Sequence, residues 1–175
     1  MAYQVRWHLL LFTLVLAATS SLAGTGITYA QEIETDETDE FSGERVVNTS
    51  LHQIEHEGFS GRARIFFLYT TNSNTSPYTF VFTVMSRDGW QVLGDDTAEF
   101  IVDDGRETRN LTRVDTDTSG GRTSESYAIA FTEDDLRDLG LAEDVRFRVN
   151  GNIYRLTNEA KEAAQLIVNR VTGAE

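Results

Sequence analysis

The chain has 175 residues and a formal charge of −13, with twenty-eight acidic side chains against fifteen basic ones, three histidines and no cysteine. Such a field repels nucleic acid and anionic surfaces, so neither is expected as a partner. The lack of cysteine excludes disulfides, thiolate nucleophiles and thiolate metal sites together.

Residues 1–30 read as an export signal. Arg6 supplies the positive start, and residues 9–18 (LLLFTLVLAA) form an apolar run too short to span a bilayer as a helix. Small residues then place cleavage after Ala23 or after Ala30. No second apolar segment is long enough to cross a membrane, so stable membrane insertion is not expected after cleavage. The expected destination is secreted or periplasmic.

Removal of Arg6 with the signal takes the formal charge from −13 to −14. Lys161 is the only lysine, and the wealth of Asp, Glu and Thr is a halophilic composition that suits a salt-adapted surface. Residues 31–43 (QEIETDETDEFSG) are acidic with Ile33 as the one aliphatic side chain, and read as a flexible tether. Residues 44–175 then suit a single β-rich domain, large enough to build a core without staples.

From residue 62 onward, short apolar runs alternate with turn chemistry. Residues 64–71 (RIFFLYTT) are rich in β-branched and aromatic side chains, and residues 72–77 (NSNTSP) are turn-formers. Tyr78, Phe80, Phe82 and Val84 then share one face of a strand. Asp88-Gly89 predicts a hairpin turn from which residues 90–93 (WQVL) return as a strand. A second hairpin is expected around Asp104-Gly105, with residues 100–102 leading in and residues 107–114 coming back. Residues 115–122 read as a loop, and residues 124–131 as a strand with Tyr127, Ile129 and Phe131 on one face.

Thr132 begins a short helix with Asp135 completing a capping box and Phe131 poised to staple onto Leu136; the helix is expected to end near Gly140. Asn150-Gly151 predicts a type I′ hairpin that pairs Phe147 with Tyr154 and Val145 with Leu156 on one face. Arg146 then opposes Arg155, and Arg148 opposes Ile153, on the other face. Thr157 caps a terminal helix whose Ala160, Ala163, Ala164, Ile167, Val168 and Val171 form an apolar stripe. About seven or eight strands in hairpins with two helices give a mainly β fold. An antiparallel β-sandwich is the expectation, with a partly open or closed β-barrel as the alternative.

Several constellations bear on function. His52-Gln53-Ile54-Glu55-His56 matches the inverted zincin spacing, in which a helix would present His52 and His56 to zinc and Glu55 as general base. Asp115, Asp117 and Ser119 follow the opening spacing of a calcium loop, but position twelve is Ser126 rather than a bidentate glutamate, which leaves only a looser Ca²⁺ site. Tyr69, Tyr78 and Trp90 are candidates for an aromatic ligand platform. Arg146, Arg148 and Arg155 form a face that either meets an anionic partner or is neutralised by neighbouring carboxylates. Asn48-Thr49-Ser50 and Asn110-Leu111-Thr112 match the N-glycosylation sequon.

No nucleophile elbow, phosphate loop or dinucleotide fingerprint is present, so no catalytic residues are assigned. The leading expectation is an exported, non-enzymatic binding or interaction module for a protein or surface partner, without a cofactor. The alternatives are a carrier of small apolar ligands with a cavity between β layers, and a metal-dependent hydrolase using His52, Glu55 and His56.

Overall fold

The computed structural model describes residues 33–71 and 78–174. The expected signal (1–30), the start of the tether and the loop at 72–77 lie outside the described residues. The remainder belongs to one compact unit, Gln31–Glu175.

Its eleven strands, counted among the described residues, join one antiparallel sheet that curls on itself. They are β1 (Ile33–Thr38), β2 (Arg45–Thr49), β3 (His52–Glu57), β4 (Gly61–Thr70), β5 (Tyr78–Ser86) and β6 (Thr97–Val102). β7 (Gly105–Asn110), β8 (Thr112–Ser119), β9 (Arg122–Phe131), β10 (Val145–Val149) and β11 (Asn152–Arg155) complete it, with helices α1 (Glu133–Leu141) and α2 (Asn158–Thr172). The order runs β7-β6-β10-β11-β3-β4-β5-β9-β8, with β2 also on β4 and β1 on β2. The mainly β fold with a C-terminal helix is therefore present, as a half-barrel intermediate between sandwich and closed barrel.

Two bent chain passes produce the curl. β2 and β3 both pair with β4, but four steps from Asn48 to His52 match three from Leu68 to Ile65, which is a β-bulge. Thr49 supports it, its hydroxyl accepting the Phe67 amide at 3.0 Å. β7 and β8 stand at opposite ends of the sheet order yet are separated in the chain only by Leu111. One continuous pass thus links the two ends. Arg109 secures this seam: its guanidinium bonds Glu107, Asp135 and the Ala130 carbonyl, and lies 4.1 Å over the Phe131 ring.

Alternation on the strands puts large apolar side chains inside the curl. Phe80, Phe82, Phe100, Phe131, Phe147 and Tyr154 meet with centroid separations between 4.7 and 5.9 Å. α2 lies against β2, β3 and β4, and its Ala160, Ala163, Ala164, Ile167 and Val168 join the same core. On the opposite face of β4 and β5, Phe66, Leu68 and Val81 form a smaller cluster with Val46 and Leu51.

The β10–β11 hairpin has the expected register, with Phe147 opposite Tyr154 and Arg146 opposite Arg155. Asn150 and Gly151 have φ of 48° and 78°, as a type I′ turn requires. Thr132 and Asp135 form the capping box of α1. The helix ends at Leu141, next to Gly140 as expected, with Ala142 as its C-cap. A Cβ at Gly140 would collide with Cγ of Gln165 and stand 3.2 Å from the Lys161 carbonyl oxygen, so the glycine allows α1 and α2 to approach.

Several segments differ from expectation. Residues 33–38, assigned to the tether, form β1 along the edge of β2, where Asp36 is held by Arg45 and Arg170. These ion pairs, the bond to Arg45 foremost, hold the Asp36 carboxyl below its usual value. Residues 115–119, read as loop, belong to β8, which turns through Gly120-Gly121 into β9. Residues 90–93, read as a returning strand, pair with no strand. They belong to the connection between β5 and β6.

Candidate functional site

The residues expected to hold zinc lie on a strand, not on a helix. Alternation along β3 points His52, Ile54 and His56 to one side and Glu55 to the other. His52 and His56 stand roughly 13 Å apart at strand rise. His52 is buried with no partner for Nε2, and burial pushes its imidazole below the ordinary value, against an opposing influence from Glu159. His56 stacks on Phe59 at 4.1 Å, its Nε2 lying 3.3 Å from the Gly61 carbonyl oxygen.

Asp115, Asp117 and Ser119 also fail to converge. They alternate along β8, opposite Ser126, Ser124 and Arg122, and all three are exposed. Among the described residues, no group of three or more His, Cys, Asp or Glu is arranged to hold a metal ion.

The aromatic candidates separate into two places. Tyr69 and Tyr78 are cross-strand partners with rings 5.1 Å apart. Tyr78 is buried, and burial raises its phenol to about 12. Trp90 lies beyond the opposite end of β5, so the three do not form one platform. The arginine face is internally neutralised: Arg146 and Arg155 share Asp144, and Arg148 pairs with Glu99. A cleft of about 450 Å³ between the β6–β7 hairpin and α1 is lined by Asp103, Glu107, Asp135 and Asp138. Glu107 and Asp135 are bound to Arg109, and Asp103 accepts the Glu143 and Asp144 amides. Of the two sequons, Asn48 is buried and Asn110 is exposed.

The most developed local structure is the loop of residues 87–96. Its organiser is Glu125 on β9, which is fully buried. One carboxylate oxygen accepts the Gln91 amide at 2.6 Å, the other accepts the Leu93 amide at 2.6 Å, and the Val92 amide lies 3.1 and 3.2 Å from the two. Three consecutive amides thus surround a charge that water does not reach, the arrangement in which charge-assisted bonds are strongest. Tyr127 adds its hydroxyl at 3.4 Å, and burial with the facing Glu125 carboxylate raises that phenol to about 12.

Further ties hold the same backbone. Thr123 donates to the Gly89 carbonyl at 2.7 Å, while the side-chain amides of Asn150 and Asn152 donate to the Gln91 carbonyl. The Ser60 amide donates to Asp88 and the Asn150 amide to Asp95. Val92 enters the core. Against this fixed backbone, Trp90 and Leu93 are each 40% exposed.

Glu125 escaped the sequence reading although its signal was present. Counting back by two from Phe131, Ile129 and Tyr127 puts it on the core-facing side of β9, where a carboxylate requires partners.

No family model matches the chain, and no curated protein or solved structure matches it either.

Proposed function

We propose that the chain is an exported, non-enzymatic binding module whose contact surface is the loop bearing Trp90 and Leu93. One observation carries this reading: two large apolar side chains stand in solvent on a backbone that a buried carboxylate holds by three amides. Interface hot spots are enriched in tryptophan, and a contact loop ordered before binding loses little entropy on association.

The other readings find less support. A carrier would need a cavity where the aromatic rings of the core meet, and the hydrolase would need the helix that β3 replaces. The export signal motivates a secreted or periplasmic location.

Site-specific photo-crosslinking in the producing cell tests the proposal. A benzophenone side chain at Leu93 is expected to give a discrete adduct that disappears in Trp90→Ala. The same probe at Glu162, exposed on α2, is expected to give none. Identical patterns from the two positions would contradict the reading.

A further inference from the structure

β8 stands at one end of the sheet and, among the described residues, pairs only with β9. Every side chain along it is exposed except Val114. A strand in this position presents unpaired amides and carbonyls, to which an extended chain can add.

Chemistry narrows what that chain is. Asp115 and Asp117 stand on one face of the edge, roughly 7 Å apart at strand rise. Antiparallel pairing of β8 with a second copy of itself in a register centred on residues 115–117 would oppose aspartates, which repel. An added strand with lysine or arginine at alternate positions meets them with complementary charge.

The edge is also built on the same residues as the Trp90 loop. Thr118 pairs with Thr123, whose hydroxyl holds Gly89, and Thr116 pairs with Glu125, whose carboxylate holds residues 91–93. Alternation therefore gives an added strand two faces, one toward the aspartates and one toward the side on which the loop packs.

We infer that the free edge of β8 receives an extended segment of a partner protein, basic at alternate positions, with the intervening apolar residues turned toward Trp90 and Leu93. Only the apolar contact rests on the function proposed above; strand addition and the aspartate contacts stand without it.

The probe is a capped peptide of alternating Lys and Val, compared with its Glu–Val counterpart and with versions N-methylated at every second amide in either register. Binding is read by calorimetry at about 0.15 M salt, and by the emission of Trp90, the only tryptophan in Gln31–Glu175. This compact unit contains the core formed by the described residues and is used as it stands.

We expect the Lys–Val peptide to bind about tenfold or more tightly than the Glu–Val peptide, and one N-methylated register to lose at least that factor. Asp115→Lys with Asp117→Lys is expected to reverse the preference without moving the unfolding midpoint. Equal binding by both N-methylated registers and the plain peptide would overturn strand addition. An unchanged preference in the double variant would overturn the aspartate contacts. Trp90→Ala with Leu93→Ala is expected to weaken binding and remove the apolar contact; unaltered affinity there would sink the loop reading while leaving strand addition in place.

Discussion

β9 holds a neighbour in each of two ways, and the two are near opposites. Its backbone pairs with β8 along residues 112–119, a strand whose side chains are almost all in solvent. Its Glu125 side chain holds residues 91–93, where no ladder exists and Gln91 and Val92 are buried. In the first region attachment is spread over a row of backbone bonds, so no single side chain matters much. In the second it converges on one carboxylate. Distributed attachment tolerates change in its side chains, and convergent attachment does not.

The largest effect is therefore expected at Glu125. Glu125→Ala leaves three amides without their acceptor, each unsatisfied group costing about 1–3 kcal/mol before water enters. We expect a loss of about 3–5 kcal/mol in urea unfolding, close to that for breaking a buried charge network. A loss below about 1 kcal/mol would show that the loop does not depend on this carboxylate.

His52 sharpens the contrast, being a second polar side chain on the inner side, but one whose Nε2 has no partner. Its imidazole titrates below the ordinary value in the fold because of burial. The unfolded chain therefore binds this proton before the folded chain does. The contribution is fully present above about pH 6.5 and declines as pH falls through that value toward the folded one. Carboxylates held low, such as Asp36 and Asp135, add a separate loss in more acid solution. We expect His52→Leu to change stability by about 1 kcal/mol or less at neutral pH and to flatten its decline as pH falls below about 6.5. Parallel curves for the two proteins would contradict this assignment.

The smallest effect belongs to β8. Asp117→Ala is expected to shift stability by no more than about 0.5 kcal/mol. Added calcium should leave the unfolding midpoint of both proteins unchanged, whereas a calcium-dependent rise lost in the variant would reinstate a metal site there.

The same contrast explains what could be read from the chain itself. Hairpin β10–β11 was legible to the residue because Asn150-Gly151 sets register locally, and alternation then carries it outward. The cap of α1 and the stripe of α2 were legible for the same reason, since their determinants lie within a few residues. Residues 90–93 and 115–119 exchanged their expected roles because their partners are distant in sequence. Gln-Val-Leu has the side chains of a strand, but its amides are claimed by Glu125, 32 to 34 residues away. Asp115 and Asp117 have the side chains of a loop, but the backbone of β9 supplies a ladder. In the candidate site, Trp90 near a turn was visible. Its distance from Tyr69 and Tyr78 was not, because strand length and direction decide it.

The central claim is that the Trp90 loop is held in place before any partner arrives. Amide hydrogen exchange resolved at Gln91, Val92 and Leu93 tests it most directly, with Glu125→Gln alongside. We expect all three amides to exchange as slowly as those of β9, and to lose much of that protection in the variant. Fast exchange at all three in the wild-type protein would contradict the account, because the loop would then be ordered only by its partner, if at all.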